Sequence, residues 1–506
     1  MNAPGGSFRR DGDRHPDRFP LSSVDEAMHL LDGGPWSCSV HIELRVSGRL
    51  EPARLADAIR VTTEIHPMLR ARLEPSRFLD RTLQWTVGST IAEVPLTIVD
   101  LRSKLVTDPE NAQEMQDTED DRDALAVVRG EVLSARVPLE AAPGFRVWLL
   151  HRDHGDSLLC NVNHAIADGI GALRLVRSIA AASTAADGAK ANDPAPAHHP
   201  LDARADVGAG RSSTDWVRKA EGMATTVVRS ARPAAELAPQ GGGGPTSRGT
   251  YHVESRIMPA APLLAARRAA HAIGDPDLDV TVNDILMAAL HLTIHEWNRD
   301  RGVHAERIAV LMPVNLRPRA WWHDVVANFA GMAAVDTSAA NRRDVIDVLR
   351  AVRDESARVL RQGGGGLVDI IDGNRWLPLG LKRGLPIAAE LLGTRLGGTA
   401  VLSNLGAVPH PPDSWAFGNG LAVTELWFSP PAQTPVTVSV GAVTFDGRCG
   451  LVIRGCADRL STAATAAFAD RLVTAVNAVT TALTGADPNR VPPGAPSHAA
   501  PVRSPA

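Results

Sequence analysis

The stretch LLCNVNHAIADGIGALRL, residues 158–175, joins an apolar strand pattern to an apolar helix pattern through a short polar segment. That segment holds His164, Asp168, Gly169 and Gly171. A histidine in this position can accept a proton from a hydroxyl, an amine or a thiol, because the unperturbed pKa of its ring is about 6.5. Glycines permit a tight turn and close packing at the start of the helix. The stretch therefore predicts a strand, a turn able to carry out proton transfer and a helix in direct succession.

Asp168 has two roles open to it. It could orient the imidazole, as in a nucleophilic triad, or it could pair with an arginine and fix the loop. The glycines favour the second role, because a carboxylate buried in a tightly packed turn needs a cation. The candidate cation is Arg317, at the end of the strand pattern IAVLMPVNLRPR. Taken alone, a histidine and an aspartate at this spacing are weak evidence, and a strand-end turn with a surface aspartate is the simpler interpretation.

The composition limits the classes of function. The chain has 506 residues, 44% of them hydrophobic and 22% charged, with a formal net charge of −4, which is typical of a globular protein with two domains and without a nucleic-acid-binding arm. The 4 cysteines include no CxxC pair, so neither a disulfide scaffold nor a metal site is indicated. Residues 1–20 lack the apolar core of a signal peptide, and no run of about 18 apolar residues suggests a membrane span. We expect a cytoplasmic protein.

The patterning divides the chain into two lobes. We predict a disordered tail over 1–18, an N-terminal lobe over 19–184, a flexible linker with a short helix over 185–250, a C-terminal lobe over 251–484 and a disordered tail over 485–506. Strands and helices occur in both lobes without a regular βαβ alternation. This mixture predicts an α+β fold.

Two further pairs of polar residues are candidates for substrate binding. Asn283 and Asp284 stand at the start of the helix pattern TVNDILMAAL, where they could hold a substrate or cap the helix. Ser403 and Asn404 lie in VLSNLGAV and could donate hydrogen bonds to a reacting carbonyl, or form an ordinary strand-end turn. No serine stands in a G-x-S-x-G elbow, and no P-loop, dinucleotide fingerprint or HExxH motif occurs.

The order of these landmarks resembles the acyltransferase superfamily that contains chloramphenicol acetyltransferase, peptide-synthetase condensation domains and bacterial wax ester synthase/diacylglycerol acyltransferases. Its signature is HHxxxDG, and NHAIADG keeps the second histidine and the Asp-Gly pair. The remaining similar segments follow in the same order: PLSSVDEAMHLLD (20–32), TEIHPMLRARL (63–73), VNDILMAAL (282–290), PVNLRPR (313–319), NFAG (328–331) and LSNLG (402–406).

The resemblance implies two chloramphenicol-acetyltransferase-like lobes with an active-site tunnel between them. It implies that His164 is the general base on the acceptor and that Asp168 is a structural partner of Arg317. It also implies an acyl-CoA or acyl-carrier thioester as donor, an alcohol as acceptor, no bound cofactor and no covalent acyl-enzyme. Two alternatives stay open: a free-standing condensation-type enzyme that forms an ester or an amide, and a non-catalytic scaffold that binds a carrier or ligand.

The sequence departs from the family pattern in two places. Asn163 replaces the first histidine of the motif, and GFRVW (144–148) replaces the Pro-Leu-Trp element typical of wax ester synthases. One imidazole is enough to accept one proton, so we expect activity to survive the first change and Asn163 to support the turn by hydrogen bonds to buried backbone groups. The second change is closer to condensation-type relatives.

The segment RWLPLGLKRGLPIAAELL, residues 375–392, has a composition suited to an interfacial membrane helix. Pro378 and Pro386 interrupt it, which favours a buried lid or core segment. A peripheral contact with the inner face of the membrane remains the alternative, and we expect a monomer.

Overall fold

The structure is a computed structural model that describes residues 17–101, 119–185, 197, 232–362, 376–384, 393–395, 398–409, 415–433 and 435–485. Residues 1–16 and 486–506 of the tails predicted over 1–18 and 485–506, and the short helix predicted within the linker, lie outside the described residues. Within the predicted tail, Arg18 already belongs to a strand. Within the predicted flexible linker, Leu237 is fully buried and the carbonyl of Ala238 accepts a hydrogen bond from Trp297 Nε1 at 2.9 Å. Ala234, Leu237 and Ala238 therefore pack against the core, while residues 239–250 are exposed or half-buried and the bounds of the linker stay a prediction.

The elements of the first half follow the apolar patterning of the sequence. Helix α2 begins at Pro52, which fits the first turn of a helix, and it ends before Pro67. In chain order the elements are β1 (Arg18–Pro20), α1 (Ser23–Leu31), β2 (Ser39–Val46), α2 (Pro52–Ile65), β3 (Ala71–Leu73), β4 (Gln84–Val87), β5 (Leu96–Asp100), α3 (Glu119–Ser134), β6 (Phe145–His151), β7 (Ser157–Asn163) and α4 (Gly169–Ala185).

The second half mixes long strands with amphipathic helices. A capping box between Thr281 and Asp284 starts the helix at Val282, and the side chain of Ser461 caps the helix that begins at Thr462. The elements are β8 (Tyr251–Pro259), α5 (Ala260–Ile273), α6 (Val282–Arg299), β9 (Arg307–Asn315), β10 (Ala330–Ser338), α7 (Val345–Arg361), α8 (Leu379–Lys382), β11 (Ala400–Ala407), β12 (Val423–Ser429), β13 (Val438–Phe445), β14 (Arg448–Cys456) and α9 (Thr462–Thr484).

The described strands form two large sheets and a small one. The five-stranded sheet has the order β12-β2-β7-β6-β5, and the six-stranded sheet has the order β10-β9-β11-β13-β14-β8. Strand β12 comes from the second half of the chain but pairs antiparallel with β2 of the first half. The division into lobes over 19–184 and 251–484 stays a prediction, and the sheet pairing departs from it at β12. The mixture of helices with largely antiparallel sheets confirms the α+β class.

Each large sheet has its own apolar core. Ile42, Cys160 and Leu175 belong to the core that helices α2 and α4 cover, whereas Val440 and Phe468 belong to the core around α6 and α9. The strands β2 and β7 are paired at the centre of the first sheet, and every residue of β7 is buried. The chain that follows β7 therefore starts from a well-packed position. Over the residues described, we find no helix with the length and apolarity needed to cross a membrane.

Candidate active site

His164 lies directly after β7, and the polar segment of the motif fills the connection from β7 to α4. The backbone N–H of His164 donates a hydrogen bond to the carbonyl of Cys38 at 2.9 Å, which continues the pairing of β7 with β2. The side chain is 7% exposed, and its Nδ1 atom is buried without a hydrogen bond to another described residue. The imidazole is therefore held at the end of a rigid strand with one nitrogen turned into the protein.

The surroundings of His164 keep its ring neutral. Burial lowers the pKa of His164, because a charged imidazolium loses its hydration there. The negative charge of Asp168 raises this pKa in part, and the positive charge of Arg454 lowers it further. A neutral imidazole near neutral pH can accept a proton, which is the requirement for a general base.

Asp168 forms a buried ion pair with Arg317, whose Nη2 atom lies 2.9 Å from Oδ1 and 3.1 Å from Oδ2. The carboxylate also accepts hydrogen bonds from the backbone N–H of Gly171 at 2.7 Å and of Phe329 at 2.9 Å. In the part of the chain that the structure describes, these three residues are its partners and His164 is not among them. The geometry favours the loop-fixing role of Asp168 over the orientation of the imidazole.

Arg317 connects the motif to the segment that follows β9. Its Nη1 atom donates to the carbonyl of Val325 at 2.7 Å, and Nη2 donates to the carbonyl of Ala327 at 2.9 Å. The guanidinium also lies over the ring of Phe329, 5.0 Å from its centre. A planar guanidinium can make these contacts at once, so one side chain holds the NFAG segment (328–331) against the turn of the motif.

The two glycines of the motif are required by close packing. A Cβ atom at Gly169 would lie 2.7 Å from Leu405 Cδ2 and 2.9 Å from the ring of Phe428. A Cβ atom at Gly171 would lie 2.8 Å from the carbonyl oxygen of Ala327. The first turn of α4 thus packs against chain segments of the second half at distances that only glycine allows.

Asn163 satisfies polar groups beneath the turn. Its Nδ2 atom donates to Asp32 Oδ2 at 3.1 Å and to the carbonyl of Val137 at 2.8 Å, and its Oδ1 atom accepts from the backbone N–H of Ala165 at 3.0 Å. The side chain is buried. Burial raises the pKa of Asp32, and the hydrogen bonds from Cys38 and Asn163 counteract that rise. These contacts fit the structural role expected of Asn163.

The structure places Asn283 and Asp284 at the start of α6. Asp284 accepts hydrogen bonds from the N–H and the hydroxyl of Thr281, at 2.9 and 2.8 Å, so its carboxylate is engaged in the helix cap. Asn283 Nδ2 lies 3.2 Å from the sulfur of Met312 on β9. Of the two interpretations of Asp284, the helix cap is present, whereas a contact of either residue with a substrate stays a prediction.

Ser403 and Asn404 lie on β11, which pairs parallel with β9 and β13. The pairing with β13 is irregular between Asn404 and Ala407, and Gly406 in this interval has a φ of +75° and donates its N–H to Asn404 Oδ1 at 2.8 Å. Asn404 therefore supports an irregular strand end. The next residue, Leu405, is the one packed against Gly169, so β11 reaches the first turn of α4.

The comparisons with known proteins place the chain in a family. No family model matches the chain. Over 442 residues the chain is 33% identical to the "Uncharacterized protein Rv2305" and the "Uncharacterized protein MT2362" of two Mycobacterium tuberculosis strains, covering 86% of this chain and 93% of each relative. The chain belongs to the family of these mycobacterial proteins.

Solved structures show which fold this chain has. The first condensation domain of the calcium-dependent antibiotic synthetase superposes with a TM-score of 0.66 at 16% identity, covering 92% of this chain and 97% of that domain. The starter condensation domain of rhizomide synthetase RzmA superposes with a TM-score of 0.63 at 15% identity, covering 92% of this chain and 95% of that domain. SgcC5 of Streptomyces globisporus superposes with a TM-score of 0.62 at 17% identity, covering 92% of this chain and 99% of SgcC5. The chain therefore has the two-lobed, chloramphenicol-acetyltransferase-like fold of condensation domains. The narrower resemblance to wax ester synthases stays a prediction.

Arg454 is a residue near the site that sequence reasoning missed. It lies on β14, is fully buried, and donates from Nε to the hydroxyl of Ser429 at 3.1 Å and from Nη1 to the carbonyl of Ser39 at 3.4 Å. Its guanidinium lies 5.0 Å from the centre of the Tyr251 ring, and among the described residues it forms no ion pair with a carboxylate. The available signal was a single arginine inside the apolar strand pattern LVIRGC.

The buried cysteines of the described chain are poor nucleophiles. Burial raises the pKa of Cys160 to about 12 and that of Cys449 to about 11, so their thiols stay protonated at neutral pH. Within the described ranges, we find no group of three or more histidine, cysteine, aspartate or glutamate side chains arranged to hold a metal ion. Among the described side chains of the NHAIADG motif (163–169), His164 is the one suited to accept a proton at neutral pH.

Proposed function

We propose that this protein is an acyltransferase that moves an acyl group from the thioester of coenzyme A or of a carrier protein to a hydroxyl acceptor. The observation that carries the proposal is the arrangement of His164: a buried imidazole with a lowered pKa, at the end of β7, in a loop that the Asp168–Arg317 pair fixes. The two-lobed fold supports it, because the site lies where segments of both halves of the chain meet.

The proposed reaction is a direct transfer. The Nε2 atom of His164 takes the proton of the acceptor hydroxyl while the hydroxyl oxygen attacks the thioester carbonyl, which forms the new C–O bond. The tetrahedral intermediate then collapses, the C–S bond breaks, and the leaving thiolate takes the proton from the imidazolium. His164 returns to its neutral form, and no acyl-enzyme forms.

The remaining predicted site residues receive subsidiary roles in this proposal. The hydroxyl of Ser403 would donate a hydrogen bond to the oxyanion of the intermediate, an interaction worth several kcal/mol in a pocket without water. Asn404 would hold the end of β11 in place for that contact, and Asn283 would contact a substrate from the start of α6. Asp284 would keep this end of α6 ordered through its cap with Thr281.

A second candidate function is condensation with an amine acceptor. The starter condensation domain of rhizomide synthetase RzmA was solved with C8-CoA and Leu-SNAC, which supports a thioester donor here and leaves an amine acceptor open. SgcC5 was solved with an aryl-substituted ethanediol, which supports a hydroxyl acceptor.

A non-catalytic scaffold is the third candidate, and the intact His164 favours an enzyme over it. We further propose that the protein acts in the cytoplasm and needs no bound cofactor.

Mass spectrometry of products tests the proposal. The protein is incubated with a panel of acyl-CoA and acyl-carrier thioesters, each with hydroxyl and amine acceptors, and the products are identified by intact mass. We expect an ester with at least one pair, and the His164→Ala variant should lower turnover by about 10² to 10⁴ without loss of folding. Amides alone would favour the condensation enzyme, and full activity in His164→Ala would refute the proposed mechanism. Thioester binding without any product would favour the scaffold.

A further inference from the structure

Four large apolar side chains are exposed on two segments that hydrogen bonds hold together. Phe78 is 58% exposed, Leu79 77%, Trp376 65% and Leu381 57%. They come from two segments that are distant in the chain, 76–83 and 376–384. Single exposed apolar residues are common on protein surfaces, but several of them on two segments that pack together indicate a surface that contacts something apolar. We call these four residues the apolar surface.

Direct contacts hold the two segments side by side. The backbone N–H of Gly380 donates to the carbonyl of Phe78 at 2.9 Å, and the N–H of Leu379 donates to the carbonyl of Asp80 at 2.7 Å. A Cβ atom on Gly380 would overlap the Phe78 ring, so the ring lies directly over this glycine. The apolar surface is therefore built from segments of both halves of the chain that contact each other.

A buried ion pair fixes this arrangement. Lys382 Nζ lies 2.8 Å from Glu26 Oε1 on α1, and both side chains are 1% exposed. The same ammonium donates to the carbonyl of Arg81 at 2.9 Å. Because a buried charge needs its counter-charge, the ion pair and the contact with Arg81 specify how α1, the 76–83 segment and the 376–384 segment pack together. The apolar side chains are thus presented from a rigid base.

The surroundings of the apolar surface are basic. Arg77, Arg81 and Arg383 are exposed, and none of the three forms an ion pair with a residue in the described part of the chain. Arg383 donates to the hydroxyl of Ser76 at 2.9 Å. The carboxylate of Asp80 accepts the backbone N–H of Arg77 at 2.6 Å. The positive charge here contrasts with the formal net charge of −4 of the whole chain.

We propose that the apolar surface and its three arginines bind peripherally to an anionic lipid surface. Aromatic and aliphatic side chains partition into the boundary between headgroups and acyl chains, while arginines bind the lipid phosphates. Such a contact requires exposed aromatic residues close to arginines that no carboxylate of the described chain neutralises, and this surface has both. The proposal assigns a binding surface outside the candidate active site, and it does not depend on the proposed acyl transfer.

Co-sedimentation with lipid vesicles tests the proposal. The full chain is mixed with vesicles of phosphatidylcholine, with and without phosphatidylglycerol, and bound protein is measured at low and high salt. We expect binding that needs the anionic lipid and weakens with salt. Leu79→Asp should reduce the partition coefficient at least about tenfold, because one apolar side chain is lost from the boundary. Substitution of Arg77, Arg81 or Arg383 by Gln should reduce the partition coefficient about fivefold in each case.

The matched control is Leu264→Asp, which changes an exposed leucine on α5, and it should leave binding unchanged. Circular dichroism and the melting temperature confirm that each variant is folded. The proposal is overturned if the wild-type protein does not bind anionic vesicles, or if Leu79→Asp and Leu264→Asp bind them equally. A dimer that Leu79→Asp dissociates, or a carrier protein that binds this surface in place of vesicles, would also overturn it.

Discussion

Asp168 and Arg317 are 149 positions apart in the chain and form an ion pair in which Nη2 lies 2.9 Å from Oδ1. Asp168 precedes α4 in the first half, and Arg317 follows β9 in the second half. The same contact therefore joins the two halves of the chain and fixes the loop that carries His164. The pair therefore contributes both to the fold of the loop and to the assembly of the site from the two halves.

The first prediction concerns this pair. In Asp168→Asn, one carboxylate oxygen becomes an NH₂ group that faces a backbone N–H, of Gly171 or of Phe329, in either orientation of the amide. Together with the lost counter-charge of Arg317, this should reduce the free energy of unfolding by roughly 3 to 5 kcal/mol. Urea denaturation measures it. The control is Asp470→Asn in an exposed pair with Arg256, which should cost about 0 to 1 kcal/mol. If Asp168→Asn and Asp470→Asn lowered the free energy of unfolding equally, the buried pair would contribute no more than the exposed one.

The second prediction is the pH dependence of catalysis. Burial lowers the pKa of His164, so the acid limb of kcat/KM should have its midpoint below 6.5, the ordinary value for histidine. Folding must be checked at each pH, because burial lowers the pKa of His66 and His291 to about 3. The unfolded chain binds protons on these two residues below about pH 6.5 and the folded chain does not, so stability falls as the pH falls. A midpoint above 6.5 in the folded protein would contradict a neutral, buried base.

The third prediction concerns Arg454. Its positive charge lowers the pKa of His164, so Arg454→Met should move the acid limb of kcat/KM to higher pH. Arg448→Met is the matched control on the same strand, since Arg448 is 41% exposed at its side chain and lies 3.9 Å from Glu425. We expect the control to keep the wild-type midpoint. Identical pH profiles for the two variants would show that Arg454 acts only in packing.

The sequence predicts the local parts of the site because they depend on neighbouring residues. The strand, turn and helix over 158–175 follow from apolar periodicity and from the glycines, and both are properties of one stretch of chain. The pairing of Asp168 with Arg317 could be anticipated because a buried carboxylate needs a cation and because the order of motifs resembles a known superfamily.

The parts that the sequence did not predict depend on contacts between distant residues. The pairing of β12 with β2 crosses from one half of the chain to the other, and periodicity reports which face of a strand is buried but not which strand it joins. Leu237 lies in a segment rich in proline, alanine and glycine, and that composition describes the backbone but not its burial. A helix cap and a contact with a substrate would both place an aspartate at position 284, so the sequence could not distinguish them. The structure shows the cap.

The fourth prediction tests the packing of the motif. Gly169→Ala places a methyl group 2.7 Å from Leu405 and 2.9 Å from Phe428, which should cost about 1 to 3 kcal/mol of stability. Activity per folded molecule should fall as well, since the adjacent loop must shift. Gly34→Ala is the control, because the nearest atom to its Cβ would be 4.0 Å away, and it should change stability by less than about 0.5 kcal/mol. Matching melting temperatures for the two variants would contradict the close approach.

The last prediction concerns Asn163, which stands where the HHxxxDG motif that the sequence resembles has its first histidine. Asn163→Ala removes two donated hydrogen bonds and one accepted one, and leaves the carbonyl of Val137 and the N–H of Ala165 without that partner. This should cost about 1 to 3 kcal/mol of stability. Activity per folded molecule should stay within about tenfold, because His164 alone accepts the proton. Asn161→Ala, on the same strand and also buried, is the matched control and should behave in the same way. If Asn163→Ala folded normally but lost activity as fully as His164→Ala, Asn163 would contact the substrate.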